Sequence, residues 1–276
     1  MSLAEDRAQV FAANRAVGRI ELVAEYGRGI TRRTRLFEAG GLRMHFPGAR
    51  ARELEAVLIN TAGGVAGGDR CDLAIAAGDQ ARLAVSTATA EKVYRSLEPD
   101  ARIGIRLSAG QDASLAWLPQ ETILFDGARL RRTIDIDLAD DARLVFAEAV
   151  VFGRTGMGEA VERGFLFDRW RLRRGGALVF AESVRLDGAI AAKLGEAAVA
   201  NGGAAIATVL IVPGGAETVE RIRELHPSFR GEVGASAWNG FAVARLCAAD
   251  GAALRHDLTT LVASLRGGKL PHCWFH

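Results

Sequence analysis

Lysine is nearly missing from these 276 residues: Lys92, Lys193 and Lys269 are all there is, and arginine carries the remaining positive charge. The formal net charge is only +2, which excludes a bulk electrostatic pull toward nucleic acid or a membrane surface. An arginine-rich surface suits bidentate pairing with carboxylates at protein interfaces, and a GC-rich genome would give the same bias. Cysteine is equally scarce. Cys71, Cys247 and Cys273 lie far apart, are odd in number and form no C-x-x-C pair. That pattern excludes a disulfide framework and a structural zinc site and fits a reducing cytoplasm. No apolar run approaches the ~18 residues of a membrane-spanning helix. The first twenty residues carry Glu5, Asp6, Arg7, Arg15 and Arg19 without an apolar core, so no secretory signal is expected. Histidine is confined to His45, His226, His256, His272 and His276, too sparse for a metal store or a hydrolytic metal centre. There is no Ser/His/Asp order and no nucleophile elbow. No catalytic residue is therefore expected, and the chain is read as a non-enzyme.

What is present is a hydrophobic content of 49% against 25% charged residues, enough for a substantial core. Up to about Leu186 the pattern is β. Cys71, Leu73 and Ile75 alternate with Asp72 and Ala74; Ile103, Ile105 and Leu107 with Gly104 and Arg106; Ile134, Ile136 and Leu138 with Asp135 and Asp137. Each alternation places its apolar side chains on one face of a strand. The units also repeat. Ile75–Leu83 resembles Leu107–Leu115, and Leu138–Leu144 and Leu172–Leu178 share the strand, Gly/Asp turn, strand order. The residue before the turn recurs at 75, 107, 138 and 172, a period of about 32 residues that implies stacked supersecondary units. Evenly spaced turns in any all-β protein are the plainer alternative. The expected fold is mainly β, a solenoid-like stack of strand-turn-strand repeats over residues 1–200.

Residues 201–276 read as a small α+β part packed on that body. Ala204–Val212 is a continuous apolar strand stopped by Pro213-Gly214-Gly215. Val219, Ile222 and Leu225 have helical spacing and are closed by Pro227. Strands are expected around Gly231–Ala237 and Phe241–Cys247. A second helix over Leu254–Leu265 should end at Gly267-Gly268.

Several strings carry candidate chemistry. Gly63, Gly64, Gly67 and Gly68 precede Asp69 without a following Lys-Ser/Thr, and a strand follows them, so a phosphate loop is excluded. A bulged turn with Asp69 as its local acceptor fits better. Lys92, Tyr94 and Arg95 could hold an anionic partner group or lie on a solvated strand end. Gln120, Glu121 and Asp126 sit beside apolar Trp117, Ile123 and Phe125, where oxygen donors could bind a hydrated divalent cation weakly or simply face solvent. Arg154 and Glu159 can pair across a second glycine-rich turn, with Glu148 on the preceding strand. In a stacked repeat these segments share a phase. Lys92, Tyr94, Arg95, Gln120, Glu121, Asp126, Glu148, Arg154 and Glu159 are thus expected to converge on one face. His272, Cys273 and His276 are ligand types on a terminus with no fourth ligand, so no tight metal site is expected.

Together these strings resemble the UreD/UreH family of urease accessory proteins. Gly63-Gly-Val-Ala-Gly-Gly-Asp69 is similar to its Gly-Gly-x-x-Gly-Gly-Asp, and Lys92-Val-Tyr-Arg-Ser96 to its Lys-x-Tyr-Arg-Ser. Leu115–Ala128 resembles the family's most recognisable stretch, Gly153-Arg154 with Gly158-Glu159 its Gly-Arg-x-x-x-Gly-Glu, and Leu270-Pro271 with Trp274 its C-terminal pattern. Where many members have His-Pro-Pro before the glycines, this chain has Asn60-Thr61-Ala62. The resemblance implies a β-rich, solenoid-like body with two helices. It also implies a chaperone role in a cytoplasmic complex with UreF and the nickel-binding GTPase UreG. That complex would dock on apo-urease and couple GTP hydrolysis to nickel insertion. No cofactor would be tightly bound; Ni²⁺ would pass transiently, with Asp69, Glu121, Glu159, Asp126 and Glu148 as the polar positions of its passage. The competing expectation is a β-solenoid enzyme with paired carboxylates acting on a carbohydrate or small molecule.

Overall fold

Strand after strand in this chain turns from one sheet into a second and back. The computed structural model describes residues 15–50 and 52–275. The chain enters through β1 (Val17–Gly27) and β2 (Ile30–Ala39), an antiparallel hairpin, followed by β3 (Leu42–His45), β4 (Ala49–Arg50) and β5 (Glu53–Asn60). Coils follow: β6 (Arg70–Ala77), β7 (Arg82–Thr87) and β8 (Glu91–Val93); β9 (Ala101–Ala109), β10 (Ser114–Leu118) and β11 (Thr122–Leu124); β12 (Arg129–Leu138) and β13 (Arg143–Phe152). Then come β14 (Arg163–Arg174), β15 (Ala177–Ala189), a short helix α1 (Ile190–Leu194), β16 (Ala205–Val212), α2 (Ala216–Glu224), β17 (Glu232–Trp238), β18 (Phe241–Ala248) and α3 (Gly251–Arg266).

One sheet has seven strands in the order β15-β14-β12-β9-β6-β1-β2, the other runs β17-β18-β16-β13-β10-β7-β5-β3. Within each, the coil strands pair in parallel. This is the expected solenoid-like stack, and in-register apolar residues hold it together: Leu73 beside Ile105 and Ile105 beside Ile134 in one sheet, Leu83 beside Leu115 and Leu115 beside Leu144 in the other. The main core lies between the sheets. A second core lies outside the larger sheet, where α3 buries Leu254, Leu258, Leu261 and Val262 against residues such as Ala207, Val209 and Leu246. Asp250 caps α3 by accepting from the Ala253 amide at 2.8 Å, and Gly267 ends it in the left-handed region.

Two details of the repeat need correction. Leu138 is equivalent to Ala77 and Ala109, not to Ile75 and Leu107, whose true partner is Ile136. The shift is two residues, which preserves the buried face because strands have a period of two. The unit at Leu172–Leu178 does not cross between sheets. Gly175 and Gly176, at φ 56° and 82°, close it into an antiparallel β14–β15 hairpin, the backbone that a tight two-residue turn requires. Beyond it, β16 returns antiparallel to β13, so the last three strands extend the larger sheet. The helices expected near Glu217 and Leu254 are α2 and α3; α1, at five residues, was not foreseen.

Candidate functional site

Between the sheets, the apolar core is interrupted by charge. Arg132 on β12 is 3% exposed and points inward with Leu130, Ile134 and Ile136. Its guanidinium pairs with Glu148 on β13 and, through Nε at 3.1 Å, with Asp168 on β14. It also reaches Thr122 Oγ1 at 3.3 Å. Two indoles complete the cluster: Trp117 Nε1 donates to Glu148 at 2.8 Å and Trp170 Nε1 to Asp168 at 2.8 Å. Burial alone would lower the Arg132 pKa, but Asp168 and Glu148 more than reverse this and raise it. Burial raises the Glu148 pKa, while Arg132 and the Trp117 hydrogen bond pull the other way. One guanidinium thus serves two buried carboxyl groups.

A small cavity lies on each side of this cluster, and Arg132 and Glu148 line both. One, of about 50 Å³, is also lined by Cys71, Thr87, Glu91, Gln120 and Thr122. The other, of about 30 Å³, adds Asp168, Glu182 and Thr208. Each has room for one or two waters among polar partners. Burial pushes the Glu91 carboxyl up to about 7, against the opposing hydrogen bond from Asn60 and the backbone and charge of Lys92. Asn60 Nδ2 donates to both Glu91 oxygens, at 3.0 and 3.2 Å. Burial likewise pushes the Cys71 thiol up to about 12, helped by the neighbouring carboxylates Glu91, Asp69 and Asp72.

The glycine-rich string packs against the Lys92–Ser96 segment. A side chain at Gly64, φ 153°, would meet Tyr94 at 2.5 Å and the Lys92 carbonyl at 2.7 Å, so this corner tolerates only glycine. Asp69 closes the loop: its two oxygens accept from the Ala16 and Ala66 amides at 2.8 Å each. Tyr94 donates to the Gly63 carbonyl at 2.9 Å and meets Phe125 edge to face. Arg154 lies over the Phe125 ring, 4.3 Å from its centre, and pairs with Glu159 at 2.7 Å. Lys92 is the strand partner of Ile123, Arg95 that of Ala128, and Asp126 accepts from the Arg163 amide at 3.0 Å. Lys92, Tyr94, Arg95, Asp126, Arg154 and Glu159 are thus brought to one corner, while Glu148 lies inside.

Gln120 and Glu121 line an outer cleft together with Arg154 and also anchor the C-terminal segment. Gln120 Nε2 donates to the Cys273 carbonyl at 2.6 Å; Glu121 pairs with Arg255 of α3 at 3.1 Å; and Arg255 covers the Trp274 ring, 4.7 Å from its centre. Trp274 Nε1 donates to the Leu118 carbonyl at 2.9 Å, and the His272 amide to Glu55 at 2.8 Å. The C-terminal segment is therefore strapped onto the outer face of the larger sheet. Among the described residues no three His, Cys, Asp or Glu side chains are grouped to hold a metal ion; His276 lies outside them.

Arg132, Asp168 and Glu91 were missed from the sequence. The first two had a signal. Arg132 is in phase with Leu130 and Ile134, and Asp168 with Leu166 and Trp170, so the strand period alone turns both inward, where each needs a partner of opposite charge. Glu91 opens a strand of three residues, too short to show a phase.

Comparison with known proteins is consistent across the chain. The model of the family described as UreD urease accessory protein matches residues 16–274. A protein named urease accessory protein UreD from Rhodopseudomonas palustris strain BisB18 is 58% identical over 267 residues, covering 97% of this chain and 96% of its own length. One of the same name from Bradyrhizobium diazoefficiens is 56% identical over 267 residues, covering 97% and 96%.

Proposed function

The chain belongs to the UreD family of urease accessory proteins, and we propose that it is the non-catalytic chaperone of a cytoplasmic complex with UreF and the GTPase UreG that loads Ni²⁺ into apo-urease. The observation that carries this reading is the polar seam between the sheets, with cavities on both sides of the Arg132, Glu148 and Asp168 cluster. Oxygen donors spaced along a seam, each already engaged by a protein group, suit a cation in passage better than one in storage. Ni²⁺ is the cargo here, and Glu91, Thr87, Gln120, Thr122 and Glu148 are the donors that face the larger cavity. Asp69, Glu121, Glu159 and Asp126 then serve indirectly: each holds a loop or the C-terminal strap in place. The interior carboxylates Glu148 and Asp168 are tied to one arginine, which supports a non-catalytic role over carbohydrate hydrolysis. No described helix is long and apolar enough to cross a membrane.

The test is co-expression of the chain with tagged UreF, UreG and apo-urease, followed by purification through the tag. The proposal expects the chain in a stoichiometric complex that activates apo-urease when nickel and GTP are supplied. An equally active preparation made without the chain would refute it.

A further inference from the structure

On the outer face of the seven-stranded sheet, side chains are in register across neighbouring strands. Arg70 on β6 lies beside Arg102 on β9, which lies beside Arg131 on β12. Next in that row come Phe167 on β14 and Arg185 on β15. Further along the strands, Arg106 and Arg171 flank Asp135. Like charges placed directly opposite one another on a sheet destabilise it, so this row sets stability aside for some other purpose. Partial relief comes from Asp72, 2.7 Å from Arg70, and from Asp100, 3.5 Å from Arg131. Arg102 and Arg106 are exposed, and no ion pair or side-chain hydrogen bond engages either guanidinium among the described residues. Arg131 also stacks over Phe165 and Phe167, at 5.2 and 4.9 Å, and Arg185 over Phe165 at 5.8 Å. The floor between the arginines is shallow, formed by Gly104, Ala74 and Thr133.

We propose that this face is a docking surface for the carboxylate-rich surface of a folded protein partner, within the assembly proposed above, on which this inference rests. Arginine forks match carboxylates in pairs, and arginine stacked on an aromatic ring is the combination enriched where protein interfaces hold most tightly. A nucleic acid fits less well. The net charge of the chain is only +2, and Asp72, Asp100 and Asp135, set among the arginines, would repel a phosphate backbone. A membrane fits less well because the same aspartates would oppose anionic headgroups and no strand of the face carries a lysine, although Val17, Phe37 and Leu178 are exposed on it.

The experiment uses the full chain, purified with UreF where needed, and measures its binding to immobilised apo-urease and, separately, to UreF. Salt is raised from about 50 to about 300 mM, which shortens the screening length about 2.4-fold. Binding to one of the two is expected to weaken at least tenfold over that range. Arg102→Glu with Arg106→Glu should weaken the same binding about thirtyfold at low salt, whereas Arg82→Glu with Arg143→Glu, on the larger sheet, should leave it unchanged. Both substituted pairs are exposed, and circular dichroism confirms the fold. Binding of both partners by the Arg102/Arg106 variant at wild-type strength overturns the inference and leaves the functional proposal standing. So does a defect confined to binding of duplex DNA or phosphatidylserine vesicles. If the unaltered chain binds neither protein, the functional proposal fails as well.

Discussion

Replacing Arg132 by methionine should lower the stability of the folded chain by about 3–5 kcal/mol at neutral pH, measured by urea denaturation. Methionine fills most of the arginine's volume, so the loss is electrostatic rather than a cavity effect. Glu148 and Asp168, 4% and 6% exposed, would face each other without the cation that compensates them. Trp117 and Trp170 would still donate, but one neutral hydrogen bond each does not offset a buried charge. The pH dependence follows from the sign of the Glu148 shift. Its pKa is raised even with Arg132 present, chiefly by burial, and removing the cation raises it further. A raised carboxyl contributes stability at low pH and loses it as pH rises. The deficit of the variant should therefore be largest above neutrality and shrink as pH falls and Glu148 takes up its proton. Adding Glu148→Gln and Asp168→Asn to the Arg132 replacement should recover most of the loss, because the unpaired charges are gone. A single variant within about 1 kcal/mol of wild type would show that the cluster is wetter than its burial implies.

Glu91→Gln should act in the opposite direction. Burial holds the Glu91 carboxyl at about 7 in the folded chain, against an ordinary value of 4.5. The folded state thus binds this proton where the unfolded state does not, and the contribution of Glu91 is complete below about pH 4.5 and lost as pH rises through about 7. Glutamine keeps an oxygen for Asn60 Nδ2 and carries no charge to desolvate. The variant should be more stable than wild type above pH 7, by on the order of 2–3 kcal/mol, and indistinguishable near pH 4. Denaturation midpoints measured from pH 4 to pH 8.5 check this; parallel profiles for the two proteins would contradict it. If Glu91 also serves the cargo, the stabilised variant should activate urease less well, the exchange of stability for function expected of a polar group kept in an apolar place.

How much of this could be read from the residues varies by element. The coils were legible because each strand alternates cleanly and each turn falls near Gly78, Gly110 or Asp140, so local periodicity and turn chemistry agree. α3 was legible from its apolar stripe and its Gly267 stop. The antiparallel return of β16 onto β13 was not, because pairing between segments ~60 residues apart leaves no local period. α1 was not, since five residues are less than a helix needs to announce itself. The motif string from Gly63 to Asp69 showed its conformational role: Asp69 holds two amides, as its place after four glycines suggested. The interior cluster was half legible. Glu148 was singled out, but its partners were passed over because Arg132 sits in the run Arg129-Leu-Arg-Arg132, which looks like a solvated strand end until its phase with Ile134 and Ile136 is counted.

The central claim, that this chain is required for nickel to reach urease, is tested most directly by the metal content of urease itself. Urease purified from a nickel-supplemented host lacking only this chain, analysed by atomic absorption, should contain little nickel and regain it when the chain is restored on a plasmid. Fully metallated, active urease from the deletion host would contradict the account.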